Sequence, residues 1–267
     1  MTSDPDGPSG SRESGPEYGG YCARCGRYHR ISWEEAAVPA RELMELFRLH
    51  GRLDWTVPEE EADPRCSLEP LYGRARGQMF GVLVCRDSRG QRQVLRAFSG
   101  QYGGLWEIPG WVPPVADPAA FARLVEEPDR EIKALGRRLE ELAGLPEAES
   151  EIRHIREQRR ELSRKLMGEI HRLYRLTSFR GESRNLTELF PRGIPAGTGD
   201  CCAPKLIHRA ALLSWKPLSM AEFFWGRDTL SGGRTQGTFY SSCREKCGPL
   251  LGFMLCGAEQ LRGAEEM

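Results

Sequence analysis

The apolar positions of this chain fall into short runs that predict the strands of a small sheet. Residues 79–85 are almost all apolar and are bounded by turn signals, a pattern typical of a buried strand. The segment 87–90 predicts a turn into a second strand over 93–98. A later apolar run, 217–225, ends at a glycine and predicts a third strand. The expected sheet therefore has about three strands.

Elsewhere the apolar residues recur at helical spacing. This pattern predicts a helix over 32–49, ended by Gly51, and a longer helical segment over 117–180. A Gly-Leu-Pro sequence at 144–146 interrupts the longer segment, so we expect an antiparallel helical hairpin inserted after the second strand. Two shorter helices begin near cysteine clusters in the last third of the chain. The predicted fold class is α/β, a small sheet flanked by helices.

The remaining segments predict the domain organisation. Residues 1–20 are rich in Gly, Pro, Ser and acidic side chains and predict a disordered tail, so that 21–267 form a single α/β domain. The segment 55–70 is acidic, contains prolines and predicts a loop. The segment 100–114 holds Gly, Pro and Trp and is expected to wrap over the sheet or to line a pocket.

Composition narrows the function classes only slightly. The 267 residues include 38 basic and 38 acidic side chains, so net charge indicates neither a nucleic acid nor a membrane as partner. No apolar run is long enough for a membrane span, and the N-terminal residues do not have the pattern of a signal peptide. We therefore expect a cytoplasmic protein that does not bind membranes. In that compartment nine cysteines favour metal ligation or burial over disulfides.

Two cysteine clusters carry the densest chemistry of the sequence. Cys201 and Cys202 open one predicted helix, and Cys243 and Cys247 open another about forty residues later. Helix N-termini stabilise thiolates through their partial positive charge. Three thiolates brought together in this way can hold a zinc ion, so we expect zinc as the cofactor.

A second metal site is suggested by Cys22-x2-Cys25 with His29 close behind. These residues resemble half of a zinc knuckle, and a tetrahedral site needs a fourth ligand. Cys66 and His50 are candidates for that ligand. The alternative is a plain turn with free thiols.

The order of helix, hairpin, helical insert, cysteine-headed helix, strand and cysteine-headed helix resembles the cytidine-deaminase-like fold. The resemblance implies that Cys202 (or Cys201), Cys243 and Cys247 hold zinc beneath the sheet. In those deaminases a Glu two residues after the first ligand transfers protons. Here Pro204 stands two residues after Cys202, and the second motif is C-x3-C rather than C-x2-C.

The same resemblance suggests replacements for the missing glutamate and a lining for the substrate pocket. Asp200 or Glu222 would act as the acid/base, and Lys205 and Trp225 would contact the substrate. With the acid/base in place, the activity would be a zinc-dependent, deaminase-like hydrolysis.

Six sequence blocks occur in order over about residues 77–255: 77–84 (GQMFGVLV), 95–100 (LRAFSG), 111–114 (WVPP), 199–206 (GDCCAPKL), 220–226 (MAEFFWG) and 243–252 (CREKCGPLLG). Together these blocks resemble the region N-terminal to the catalytic domain in some bacterial RluA-type pseudouridine synthases. The resemblance implies an RNA-modification setting, with RNA or an RNA-modification enzyme as partner. The synthase domain itself is absent, so pseudouridylation is not implied.

Two functions follow as expectations. One is a zinc-binding, deaminase-like module that acts on RNA or a nucleobase. The other is a non-catalytic module that binds RNA or protein and whose cysteines are structural.

Overall fold

The computed structural model describes residues 15–74 and 76–261. Within these residues the chain is a mixed α/β protein with small antiparallel sheets. Its strands are β1 (Tyr18–Cys22), β2 (Arg27–Ile31), β3 (Gln78–Arg86), β4 (Arg92–Phe98), β5 (Arg175–Thr177), β6 (Ser183–Asn185) and β7 (Lys216–Trp225). Its α-helices are α1 (Glu34–His50), α2 (Pro118–Glu141), α3 (Glu149–Leu173), α4 (Leu186–Leu189), α5 (Cys202–Leu212) and α6 (Cys247–Met254).

The central sheet has the order β4-β3-β7 and is antiparallel throughout. Val82 in β3 pairs with Arg96 in β4 and with Ala221 in β7, which places β3 in the middle. The middle strand is buried along almost its whole length, as expected for an apolar run with few polar breaks. The three strands predicted from the sequence are confirmed.

The two faces of this sheet pack against different helices. Because side chains alternate along a strand, Phe80 in β3 and Phe223 in β7 point to one face and pack against Phe47 of α1. Met79 and Phe224 point to the other face, where α5 and α6 complete the core. All the metal-binding candidates described below, except Cys66 and His50, lie on the α5/α6 side.

The segment 100–114 covers the α1 face, as one of its two predicted alternatives states. Trp111 is buried there and donates a hydrogen bond from Nε1 to the carbonyl oxygen of Leu53 at 3.0 Å. Its ring contacts Phe47 and Phe98. The segment therefore covers the hydrophobic core on the α1 face of the sheet. It contributes no residue to the candidate metal sites.

The predicted tail over 1–20 is wrong in its last residues, and residues 1–14 lie outside the described part of the chain. Tyr18 begins β1 and is completely buried. Its hydroxyl donates to the carbonyl oxygen of Tyr240 at 2.8 Å and accepts from the backbone N–H of Glu222 at 2.7 Å. These contacts fix β1, and with it the β1–β2 ribbon, beside β7.

The predicted helical hairpin is present as α2 and α3, but its end at residue 180 is wrong. The arm begins as expected, since Asp117 accepts a hydrogen bond from the N–H of Ala119 at 2.9 Å. It ends at Leu173, and the small β5–β6 hairpin follows. The reason is tertiary: buried Tyr174 is held by Asp200, so the chain leaves the helix there.

No helix in the described part of the chain is long and apolar enough to cross a membrane.

Candidate metal centres

Three thiols meet between α5 and α6. Cys201 is the N-cap residue of α5, Cys243 lies in the turn before α6, and Cys247 is the first residue of α6. The Sγ atoms of all three lie within 4.8 Å of one another, and those of Cys243 and Cys247 are 3.5 Å apart. We call these residues the three-thiol group. The two cysteine clusters of the sequence therefore come together in the fold, as predicted.

The turn before α6 explains the unusual C-x3-C spacing. The carbonyl oxygen of Cys243 accepts from the N–H groups of both Cys247 and Gly248 at 3.1 Å. This turn brings the two thiols to the same end of the helix. Hydrogen bonds from the thiols of Cys201 and Cys247 hold the pKa of the Cys243 thiol far below its usual range. Cys243 is exposed and Cys247 is buried, so the group lies at the edge of the core.

Cys202 is not part of this group, and its assignment as the preferred first ligand is wrong. The N-cap residue has extended backbone angles (φ −66°, ψ 160°), whereas Cys202 is already helical. The side chain of Cys202 therefore points into the core, where its Sγ donates to the carbonyl oxygen of Met79 at 3.3 Å. An added Cβ at Gly81 would lie 2.7 Å from the Cβ of Cys202, so a glycine is needed where α5 crosses β3.

Glu222 lies at the start of α5, next to the three-thiol group. Its Oε1 accepts from the N–H of Ala203 at 2.9 Å, which satisfies a helix N-terminal donor that no side chain of α5 itself caps. The carboxyl is buried, and this burial raises its pKa to about 7, with a smaller contribution from the charge of Cys243. Glu222 is thus a buried carboxyl that the N-terminus of α5 holds in place.

Asp200 precedes the group and is held by a tyrosine. Its carboxylate oxygens both lie 2.8 Å from the hydroxyl of Tyr174, which donates to them. Burial raises the pKa of this carboxyl, and the hydrogen bond with Tyr174 acts in the opposite direction. Gly199 makes this contact sterically possible, because an added Cβ there would lie 2.7 Å from the Tyr174 ring.

Lys205 and Trp225 do not line a pocket at the group, so their assignment to substrate binding is wrong. Lys205 is only 1 % exposed and donates from Nζ to the carbonyl oxygens of Phe98 and Gly100, at 3.0 and 2.7 Å. This ammonium group joins α5 to the end of β4. Trp225 lies on the α1 face of the sheet, because it is three residues from Glu222 along a strand with alternating faces.

A second group has four members: Cys22, Cys25, His29 and Cys256. Their ligand atoms lie within 4.8 Å of one another, and the Sγ of Cys25 is 3.1 Å from Nε2 of His29. We call these residues the four-ligand group. Burial acts to raise the pKa of the Cys25 thiol, but hydrogen bonds with His29, the backbone of Arg27 and the thiols of Cys22 and Cys256 together outweigh it and lower that pKa to about 7.

The β1–β2 ribbon and the end of α6 position these four side chains. Cys22 ends β1, Cys25 lies in the turn, and His29 lies in β2. Gly26 takes the left-handed conformation (φ 69°), and its N–H donates to the carbonyl oxygen of Cys22 at 2.9 Å, which closes the turn. Cys256 is the second residue after the end of α6. The three ligands predicted from the sequence therefore do lie together.

Neighbouring polar groups orient the ligands. Nδ1 of His29 lies 3.8 Å from Oε1 of Glu259, which leaves Nε2 to face the thiols. Nε of Arg180 donates to the Sγ of Cys256 at 3.2 Å. A carboxylate behind a ligating histidine and an N–H group directed at a sulfur are typical of metal sites in proteins.

Cys256 completes this group, so Cys66 and His50, the residues predicted as candidates for the fourth ligand, are wrong. Cys66 is buried on the α1 face of the sheet, and His50 is exposed at the end of α1. Cys256 forms no C-x-x-C motif with a second cysteine nearby in the sequence. It also follows an apolar helix, a context that indicates a buried core cysteine. Only the packing of α6 against β1 brings it to the ribbon.

The chemistry of both donor sets fits zinc. Two thiolates on a tetrahedral zinc ion lie about 3.8 Å apart for Zn–S bonds of about 2.3 Å, close to the 3.5 Å between the Sγ atoms of Cys243 and Cys247. The four-ligand group offers the Cys₃His set of closed structural sites, and the three-thiol group leaves a fourth position to another ligand. Both groups can hold a metal ion.

Comparison of the chain with family models, curated proteins and solved structures finds no match.

Proposed function

We propose that this chain is a zinc-binding accessory module that serves RNA modification by binding rather than by catalysis. The observation that carries this proposal is the four-ligand group, in which Cys22, Cys25, His29 and Cys256 offer enough ligands to fill every position of a tetrahedral ion. A site with four protein ligands has no position for a reacting water. Its role is to hold the N-terminal ribbon on the C-terminal helix.

The carboxyl groups near the three-thiol group support the same proposal. Asp200 accepts from Tyr174, and Glu222 accepts from the N–H of Ala203. Both side chains are engaged in holding α5, whereas a deaminase needs a carboxyl that is free to move a proton between water and base. Ala203, two residues after Cys201, also occupies the position of the usual glutamate. The resemblance to the accessory region of RluA-type synthases supplies RNA as the expected partner. Reduced thiols of this kind suit a reducing compartment such as the cytoplasm.

A second candidate function is deaminase-like hydrolysis at the three-thiol group. Two observations favour it: the group has only three protein ligands, and the buried carboxyl of Glu222 has a pKa near 7. A zinc ion there would supply a Lewis acid that activates water at neutral pH. Glu222 would then hold and transfer the proton, and Asp200 would be the alternative acid/base.

Metal analysis and a deamination assay distinguish the two functions. Purified protein should contain two zinc ions per chain, and Cys256→Ser should reduce this to one. Zinc-loaded protein should not convert cytidine, adenosine or single-stranded RNA to deaminated products above the buffer rate. Turnover that disappears in Glu222→Gln with zinc retained would establish the second candidate. Protein without zinc, grown in zinc-supplemented medium, would overturn both.

A further inference from the structure

The outer face of the β1–β2 ribbon presents two tyrosines to solvent. Tyr21 and Tyr28 are directly opposite each other in the two strands, and their exposed fractions are 60 % and 50 %. Among the described residues neither ring packs against another aromatic ring. Large aromatic rings are seldom left so open at neighbouring positions, and such a pair indicates a binding surface.

A groove of about 630 Å³ runs beside these rings, and its floor is backbone. Gly19, Gly20 and Gly248 contribute to it without side chains. An added Cβ at Gly20 would lie 1.7 Å from the carbonyl oxygen of Gly248, so the ribbon rests directly on α6. The volume lies within the range of about 300–1,000 Å³ typical of small-molecule sites. The groove can therefore accept a flat ring beside a tyrosine.

Two exposed arginines and one glutamate carry the charge in and beside the groove. Arg244 is exposed and lines the groove, and Arg30 lies on the tyrosine face of the ribbon opposite Gly19. Neither arginine forms an ion pair with any residue that the structure describes. The acidic residue in the lining, Glu17, accepts a hydrogen bond from the Tyr28 hydroxyl at 3.2 Å. That contact orients the Tyr28 ring and leaves the arginines available for an anion.

We propose that this groove, the tyrosine groove, binds an unpaired base of single-stranded RNA. The base would stack on Tyr21 or Tyr28, and Arg244 would contact the adjacent phosphate. Stacking on exposed aromatic rings combined with phosphate contacts from arginine is how proteins bind single strands without reading their sequence. The proposal rests on the function proposed above and names the surface through which it would operate. A proline-rich peptide would use the tyrosines but not the unpaired arginine, so the charge favours RNA.

The test measures binding of a fluorescently labelled ten-nucleotide oligouridine by anisotropy over a salt series. Of Tyr21→Ala and Tyr28→Ala, the variant that removes the stacking ring should weaken binding by about 5- to 150-fold, the range expected for one lost base–aromatic stack. Tyr→Phe at either position keeps the ring and should stay within about twofold of the wild type. Tyr72→Ala removes a tyrosine that is 47 % exposed elsewhere on the surface and serves as the matched control. Arg244→Gln should reduce the salt slope by about 0.7, the value for one phosphate contact with a single strand.

Zinc content and circular dichroism of every variant confirm that the fold is unchanged. If the alanine variants bind like Tyr72→Ala, the tyrosine groove is not the site, while RNA binding elsewhere on the module still stands. If the wild type with both zinc ions binds a proline-rich peptide and not oligouridine, RNA as partner fails in both proposals and the zinc sites remain. Duplex RNA that binds as tightly as the single strand would also overturn the stacking proposal.

Discussion

The four-ligand group predicts a large loss of stability when its C-terminal member is replaced. Cys256→Ser removes one of four ligands from a site that joins β1, β2 and the end of α6. Structural zinc sites contribute about 10–16 kcal/mol of apparent binding free energy, or roughly 2.5–4 kcal/mol per ligand. We therefore expect the variant to bind this zinc roughly 10²- to 10³-fold more weakly. At saturating zinc the free energy of unfolding should fall by a similar 2.5–4 kcal/mol, or roughly 5–15 °C in melting temperature for a chain of this size.

The assay is a competitive zinc titration with a chromophoric chelator, followed by thermal unfolding in buffered zinc. Cys66→Ser is the matched control, because Cys66 is as buried as Cys256, at 2 % and 1 % exposed, but lies outside both groups. The control should keep two zinc ions and the wild-type zinc affinity. Two tightly bound ions in Cys256→Ser, or an equal loss of zinc in both variants, would refute the assignment of the fourth ligand.

Three further changes test the surroundings of the two groups. Cys201→Ser should remove the zinc of the three-thiol group, whereas the same change at neighbouring Cys202 should leave both ions in place by metal analysis. Burial lowers the pKa of His208 from 6.5 to about 4, so the unfolded chain takes up a proton first and the free energy of unfolding falls between these pH values. The fall reaches about 3 kcal/mol, and His208→Asn should abolish it in denaturant titrations over pH; a wild type without this fall would show that the imidazole is already charged in the folded protein. Gly20→Ala should destabilise the chain by roughly 1–3 kcal/mol because its Cβ would collide with a carbonyl oxygen of α6; Gly136→Ala, whose Cβ would meet no atom within 4 Å, should not.

Local patterns predict much of this fold because its central strands and long helices are local features. The strands at 79–85 and 93–98 are short apolar runs on either side of a turn, and the structure extends each by only a residue or two. The arm over 117–180 has the spacing of two helices, and its first cap is where Asp117 predicts it. The glycine-rich strand β1 is not predicted, since Gly19 and Gly20 are typical of a flexible tail. Only the packing of the ribbon on α6 makes this segment a strand.

The candidate sites depend on features that no local pattern contains. Whether Cys201 or Cys202 is the ligand depends on the backbone angles at a helix start, where one residue changes the direction of the side chain. Cys256 joins a group whose first member, Cys22, is 256 − 22 = 234 residues away. Trp225 is an exception, because the alternation of the predicted strand over 217–225 already places it on the face opposite Glu222.

Helix α6 connects the two groups, which predicts that they bind zinc cooperatively. Cys247 begins this eight-residue helix, and Cys256 lies just beyond its end, so the groups are roughly 12 Å apart along its axis. An ion at either end fixes the helix and lowers the entropy that the other ion must remove. Cys201→Ser should therefore weaken zinc binding at the four-ligand group, and Cys256→Ser should weaken binding at the three-thiol group by the same factor, because such coupling is reciprocal. Titrations of the two single variants and of the wild type measure both factors. Equal single-site affinities in all three proteins would mean that the core already holds α6 rigidly without metal.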